Sequence, residues 1–248
     1  MATRPRHHSG KRRLRRIAVA LIVLLMLLVV ALLAGLVYEL SLPSVAHAQA
    51  RVAAIAQTHH GEIGGLPVPA RLAAAAVAVE DDRFYSNVAV NLLYGLGRAA
   101  VATLRGKGDA GGSTIAQQLA KQLFATGSGA GASIEELALG LKLSVSYSRA
   151  QVLSMYLNAD YYGNGYWGDV AAARGYFGLN PARLSWAQAS MLAGLVQAPS
   201  AYDPVRHFAL AKQRQRHVLD RLVATHYLTT AQVAAAYRAP LQLRNAQP

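Results

Sequence analysis

An uninterrupted apolar run near the amino terminus dominates the hydrophobic pattern of the chain. From Ile17 to Tyr38 no residue is charged and almost every side chain is aliphatic. A helix of about 20 such residues crosses the roughly 30 Å hydrocarbon layer of a bilayer, so the pattern predicts a transmembrane helix over 17–38. A cleaved signal peptide is the alternative. Its apolar core would be shorter, about 7 to 15 residues, although the small residues at 43–48 resemble a cleavage site.

Seven basic residues precede this run, and they set its direction. Residues 1–16 therefore predict a cytoplasmic basic tail, and the positive-inside rule places everything after Tyr38 on the far side of the membrane. Chemistry that needs ATP is not expected there. The basic residues in question are Arg4, Arg6, Lys11, Arg12, Arg13, Arg15 and Arg16.

The remainder of the chain has the pattern of a helical protein. Residues 39–60 are mixed in character and predict a membrane-proximal linker, and residues 61–248 predict one domain. Pro69 leads an alanine-rich run of high helix propensity that ends at Glu80. No alternating strand pattern is present, so a mostly helical domain without internal repeats is expected. Ser/Thr-x-x-Gln capping boxes predict four later helix starts, at Thr114 with Gln117, Ser148 with Gln151, Ser185 with Gln188 and Thr229 with Gln232.

Composition narrows the chemistry. The chain has no cysteine, which excludes disulfides, thiolate zinc sites and cysteine nucleophiles. Its histidines have no metal-ligand spacing, and no Gly-x-Ser-x-Gly nucleophile elbow is present. Residues 17–248 contain 18 basic and 12 acidic residues. This excess of positive charge favours anionic lipid and pyrophosphate as partners. Nucleic acid is not expected, because the basic residues are not interleaved with aromatic ones.

Two acidic clusters are candidates for acid-base chemistry. Glu80, Asp81 and Asp82 follow a strongly apolar helix, where burial would raise the pKa of a carboxyl group towards that of a useful general base; an exposed helix end is the alternative. Glu136 lies two positions from the apolar face of a second predicted helix. Periodicity leaves open whether it is solvated or turned into a cleft.

A glycine-led polar segment lies between the two clusters. In residues 111–124, Thr114, Gln117 and Lys121 share one helical face and the apolar side chains share the opposite face. Glycines permit close approach of a ligand, a helix N-terminus offers free N–H groups, and Lys121 adds positive charge. The segment suits sugar hydroxyls and phosphate oxygens, or it is an ordinary solvated face.

These segments resemble the peptidoglycan glycosyltransferases, which occur alone or as the amino-terminal half of class A penicillin-binding proteins. Residues 80–89 resemble the family's motif Glu-Asp-x-x-Phe-x-x-His-x-Gly. Residues 111–121 contain its motif Gly-x-Ser-Thr-Ile-x-Gln-Gln-x-x-Lys in full. Residues 132–136 keep the glutamate of its Arg-Lys-x-x-Glu motif, and later similar segments follow in the family's order. The resemblance extends from about His60 to Pro240.

The resemblance implies a fold and a reaction. The fold is mostly α, a lysozyme-like helical domain with head and jaw lobes, preceded by one transmembrane helix. The reaction is inverting polymerisation of lipid II with release of undecaprenyl pyrophosphate. By this analogy Glu80 deprotonates the acceptor 4-hydroxyl and Glu136 assists on the leaving-group side. The residues implied to bind substrate are Asp81, Phe84, Ser113, Thr114, Gln117, Gln118 and Lys121.

Location, partners and cofactor are also implied by analogy. The chain is expected in the inner membrane, with its catalytic domain outside the cytoplasm. Its expected partners are lipid II, a lipid-linked glycan strand, the membrane and transpeptidases that crosslink the product, since no transpeptidase region is expected after residue 240. Mg²⁺ or Mn²⁺ would balance pyrophosphate charge, but the sequence identifies no metal ligands.

Departures from the motifs motivate two rival hypotheses. Asn87 replaces the motif histidine, Ala89 replaces a glycine, and Ala132 and Ser133 replace the Arg-Lys pair near the phosphates. Lost charges weaken preorganised stabilisation of the transition state, unless Lys142 or Arg149 compensates. The first rival is therefore a weakly catalytic scaffold that binds lipid II. The second is a lytic enzyme that cuts existing glycan, suggested by the implied lysozyme-like fold.

Overall fold

The computed structural model describes residues 9–86 and 114–244, and these divide into two compact units. The first unit ends at Pro43 and consists of helix α1, Ser9–Ser41. Within α1, Leu14–Ser41 is long enough to cross a membrane, and its 18-residue apolar window has a mean hydropathy of 3.4. The predicted span over 17–38 lies inside this helix.

The second unit begins at Ser44 and is built from helices. Regular structure in the described part is helical, apart from one isolated antiparallel bridge between Tyr161 and Trp167. In chain order the helices are α2 (Ala48–Thr58), α3 (Ala70–Glu80), α4 (Ile115–Phe124), α5 (Ala130–Ser146), α6 (Arg149–Ala159), α7 (Asp169–Phe177), a 3₁₀ helix (Pro181–Arg183), α8 (Trp186–Leu195), α9 (Phe208–Ala224) and α10 (Thr230–Arg238).

Helices α3 and α8 form the centre of the core. Residues 72–78 of α3 and 187–195 of α8 are buried without interruption. An amphipathic helix buries only one face, so these two helices are enclosed on all sides. Alanine at most of the buried positions of α3 allows α8 and α9 to pack closely on it. The end of α3 is therefore held rigidly, and that end carries Glu80.

Helix α4 lies between α5 and α6. Its apolar face, including Ile115, Leu119 and Leu123, is buried, as the sequence pattern predicts. Gly140 of α5 lies against the first turn of α4: a β-carbon there would be 3.0 Å from the backbone nitrogen of Gln117 and 3.1 Å from the carbonyl carbon of Ala116. Glycine thus permits the close approach of the two helices.

Several predicted elements are confirmed, and one is wrong. All four capping boxes are present, with both reciprocal hydrogen bonds in each. Pro69 precedes α3, and Glu80 ends it. The predicted linker over 39–60 instead contains α2, whose buried Ala48, Val52 and Ala56 join it to the domain. These apolar positions recur at helical spacing, and the mixed composition concealed them.

Candidate active site

The Glu80 side chain faces helix α4 at the end of α3. Its Oε2 atom accepts a hydrogen bond from Gln118 Nε2 at 2.9 Å, and its Oε1 atom lies 3.3 Å from Arg214 Nη2. The side chain is only 14% exposed. A carboxylate has about four lone-pair positions, so both oxygens can still accept from a substrate hydroxyl. Glu80 is consequently an enclosed, oriented carboxylate rather than a solvated helix end.

Two arginines of α9 offset the negative charge at the end of α3. Arg214 pairs with Glu80, and Arg221, two helical turns later, donates from Nη2 to Asp82 at 2.8 Å and from Nε to the Ala78 carbonyl at 3.0 Å. Carboxylates at a helix C-terminus oppose the helix dipole, and the last carbonyls lack helical partners. The two arginines neutralise the carboxylates and donate to a free carbonyl, and they thereby fix the position of Glu80.

Asp81 and Phe84 serve the framework of the site. The Ile115 backbone N–H donates to Asp81 Oδ2 at 3.2 Å, which joins the end of α3 to the start of α4. Burial raises the pKa of Asp81. Phe84 is 2% exposed, and the Arg149 guanidinium lies 5.7 Å from its ring centroid. The predicted contact between Phe84 and substrate is therefore not available to its side chain, because the ring packs in the core.

The polar side chains of helix α4 have two different roles. Thr114 and Gln117 form the reciprocal cap at its start, so the Gln117 side-chain oxygen is occupied by the Thr114 backbone N–H at 2.7 Å. Gln118 instead holds Glu80, while Lys121 is exposed and supplies positive charge. Ser113, also predicted to bind substrate, lies outside the described residues.

Glu136 is partly buried on α5 and is oriented from the other end of α4. Its Oε1 atom accepts from Thr126 Oγ1 at 2.9 Å, and Thr126 follows α4 by two residues. Gln118 and Phe124, the last residue of α4, are about 9 Å apart along the axis at 1.5 Å per residue. The two candidate carboxylates are thus held at opposite ends of one helix, with Lys121 between them in sequence.

A buried polar cluster lies behind Gln118. Its Oε1 atom accepts from the hydroxyl of Tyr156 at 3.2 Å, and Gln122, one turn further along α4, donates to Asp160 Oδ1. Tyr156 is fully buried and Asp160 is 2% exposed. Burial, aided by the nearby Glu80, raises the pKa of the Asp160 carboxyl group well above its usual range.

The remaining candidates have other surroundings. Arg149, a predicted replacement for the missing Arg-Lys pair, donates to the Ser86 carbonyl at 3.1 Å beside the ring of Phe84. Within the described ranges, no group of three histidine or acidic side chains is arranged to hold a metal ion. An apolar cavity of about 590 Å³ opens beside the amino-terminal part of α3, at the other end of that helix from Glu80. It is lined by Leu66, Ala70, Ala73, Tyr85, Leu153 and Tyr227 among others.

Sequence reasoning missed Arg214, Tyr156, Gln122 and Asp160. Two spacings pointed to Gln122 and Arg214. Gln118 and Gln122 are four residues apart on α4, and Arg214 and Arg221 are seven apart on α9, so each pair shares a helical face. The partners themselves are 38 residues or more away along the chain. Only the packed fold brings them together.

Comparison with known proteins gives consistent matches to one family. The family described as Transglycosylase matches residues 49–223. A Cupriavidus necator protein named as a transglycosylase is 34% identical over 178 residues, covering 71% of this chain and 77% of that protein. Penicillin-binding protein 2a of Streptococcus pneumoniae is 39% identical over 65% of this chain and 22% of its own length. Penicillin-binding protein 1A of Aquifex aeolicus is 36% identical over 71% and 24%.

Among solved structures, penicillin-binding protein 1A of Haemophilus influenzae matches with 29% identity and a TM-score of 0.38. That match covers 41% of this chain and 15% of the other. The chain spans less than a quarter of the length of the penicillin-binding protein 2a sequence and about a quarter of the Aquifex protein.

Proposed function

Because the chain belongs to the transglycosylase family, we propose that it polymerises lipid II into glycan strands by inverting transfer, releasing undecaprenyl pyrophosphate. The observation that carries the proposal is the enclosed Glu80 carboxylate, oriented by Gln118 and Arg214. In this mechanism Glu80 takes the proton of the acceptor 4-hydroxyl as that oxygen attacks C1 of the lipid-linked strand. Fixing the carboxylate in advance removes the cost of orienting it during the reaction.

Glu136 acts at the leaving-group end of the same helix in this proposal. The bond between C1 and the pyrophosphate breaks as the new glycosidic bond forms, and negative charge accumulates on the departing pyrophosphate. Lys121, exposed on α4, stabilises that charge. A divalent ion, Mg²⁺ or Mn²⁺, would balance the rest of the pyrophosphate charge.

The apolar helix α1 anchors the enzyme as a single-pass inner-membrane protein in this proposal. The basic residues 1–16 remain in the cytoplasm, and the catalytic domain lies outside it. Membrane attachment keeps the domain beside its lipid-linked substrates. Crosslinking of the product then falls to transpeptidases acting as partners.

Labelled lipid II in detergent tests the reaction directly, with Mg²⁺, with Mn²⁺ and with chelator. The wild-type protein should form polymer. Glu80→Gln should lower the rate by at least about 100-fold, since a positioned general base contributes about 10² to 10⁴. Glu136→Gln should also lower it, whereas Glu135→Gln, a neighbouring carboxylate on the same helix, serves as the matched control and should retain activity.

Two other results would favour the rival hypotheses over this proposal. Binding of lipid II without any polymer would favour the scaffold, which the missing Arg-Lys pair motivates. Soluble muropeptides released from isolated cell wall would favour a lytic enzyme. Polymer formation that survives in Glu80→Gln would contradict the role given to Glu80.

A further inference from the structure

The buried cluster behind the candidate base contains an unpaired oxygen. Among the described residues no group donates to Asp160 Oδ2, although this atom is buried from solvent. The other oxygen, Oδ1, accepts from Gln122. An ionised carboxylate only accepts hydrogen bonds, and a buried acceptor without a donor is costly. A proton on Oδ2 would convert this orphan acceptor into a donor.

A suitable acceptor for that proton is adjacent. The Tyr156 hydroxyl is a close neighbour of the Asp160 carboxyl group. Its own O–H already donates to Gln118 Oε1 at 3.2 Å, so its oxygen lone pairs are what remain for Asp160. Gln118 must present its amide N–H₂ to Glu80, because an ionised Glu80 cannot donate. With a hydrogen bond from the protonated Asp160 to Tyr156, every donor between Asp160 and Glu80 would point in the same direction.

We propose that a protonated Asp160 heads a one-directional hydrogen-bond chain, through Tyr156 and Gln118, that positions the Glu80 carboxylate. Asp160 is a positioning residue in this scheme, since it acts through two other side chains. Its effect on turnover rests on the proposed function, whereas its protonation and its coupling to Glu80 do not. If Asp160 were ionised, it would compete with Gln118 for the Tyr156 proton and leave the Gln118 oxygen without its donor.

The surroundings of Asp160 favour the neutral acid. Its titratable neighbours are Glu80 on α3, Tyr156 on α6, the helix that ends just before Asp160, and Tyr162 in the following loop. All three are acids. Arg214 compensates Glu80 rather than Asp160. Burial is the largest cause that raises the pKa of Asp160, and the donor Gln122 offsets it only in part.

Infrared spectroscopy of the full-length protein in detergent tests the protonation without any substrate. The difference spectrum between wild type and Asp160→Asn at pH 8 should contain the carbonyl stretch of a protonated carboxylic acid. At that pH Asp169, another buried aspartate, should be ionised, since burial raises its pKa only to about 6. Only a carboxylate band in the difference spectrum would overturn the proposal.

A second infrared comparison tests the coupling between Asp160 and Glu80. The Glu80 carboxylate band, isolated by subtracting the spectrum of Glu80→Gln in each background, should shift in Asp160→Leu and in Tyr156→Phe. It should remain in place in Asp160→Asn, whose amide can also donate to Tyr156. Tyr156→Phe removes one hydroxyl at nearly constant volume, so it keeps the test available if Asp160→Leu does not fold. An unmoved band in both variants would refute the chain.

Turnover supplies the last measurement. Asp160→Leu and Tyr156→Phe should lower kcat for polymerisation about tenfold with little change in KM, equivalent to about 1.4 kcal/mol of barrier, while Asp160→Asn restores most of the rate. If wild type forms no polymer but the spectra behave as stated, the proposed function fails and the chain stands. If Asp160→Asn is as damaging as Asp160→Leu, the chain fails and the proposed function stands.

Discussion

The ion pair between Glu80 and Arg214 combines a structural and a chemical role in two side chains. They are 14% and 11% exposed respectively, so water screens them poorly. Removing one partner of such a pair leaves the other charge unmatched, which costs more than the pair itself contributes. The arginine is consequently expected to matter for stability as well as for the orientation of the carboxylate.

Arg214→Met should lower the free energy of unfolding by about 2 to 3 kcal/mol, because Glu80 would remain buried without its cation. Denaturant unfolding in detergent, followed by tryptophan fluorescence, measures this. Arg216→Met is the matched control on the same helix: its pair with Asp220 is 50% and 54% exposed, so the loss should be below about 0.5 kcal/mol. Equal losses in the two variants would contradict the buried-pair argument.

Asp169 makes stability depend on pH. Burial raises its pKa to about 6, and no described group donates to its Oδ1 atom. The folded state therefore prefers the protonated form. This stabilisation is fully present below about pH 4, the unfolded pKa, and is lost as pH rises through 6, to a total of up to about 3 kcal/mol.

Asp169→Asn should flatten the fall in stability between pH 4 and 7 and should be more stable than wild type at pH 7. Denaturant unfolding at several pH values gives the comparison, and the difference between the two proteins removes contributions from other acids. Asp220→Asn, a largely exposed carboxylate, should follow the wild-type profile. A variant curve parallel to wild type at every pH would show that Asp169 titrates normally.

At the scale of helices, the contact of α4 with α5 controls the site, because α4 carries Gln118 and Lys121. Gly140→Ala would place a β-carbon 3.0 to 3.2 Å from backbone atoms of Ala116 and Gln117, which cannot move without displacing α4. The variant should lose about 1 to 3 kcal/mol of stability, as overpacked sites do, and should polymerise lipid II more slowly.

Gly131→Ala provides the control for that substitution. Gly131 lies on the same helix, and a β-carbon there meets nothing within 4 Å. Alanine favours a helix over glycine by up to about 1 kcal/mol, so Gly131→Ala should be neutral or stabilising. A similar loss in both variants would mean that α5 is sensitive to any added volume, and the close approach at Gly140 would then explain nothing.

The helices also show which features a sequence can reveal. A capping box is formed by residues three apart, so Thr114 with Gln117 and Ser148 with Gln151 were predictable from local pattern alone. Partners such as Gln118 and Glu80 are 38 residues apart and meet only through packing. A motif also does not distinguish residues that pack from residues that bind: Phe84 belongs to the first motif, yet its ring is buried.

At the scale of the whole chain, the two compact units differ in character. The unit from Ser44 has its own buried core, and α1 has none of its apolar span buried within the structure.

The direction of the anchor is testable because the chain contains no cysteine. We expect Ser128→Cys, at an exposed position in the domain, to react with a membrane-impermeant thiol reagent in intact spheroplasts. Ser9→Cys, at the start of α1, should react only after lysis, because the positive-inside rule retains the basic end in the cytoplasm. The two serine substitutions control for each other, and the wild-type chain gives the blank. Labelling of Ser9→Cys before lysis, with Ser128→Cys protected, would reverse the orientation and leave Glu80 on the wrong side of the membrane for an extracytoplasmic polymerase.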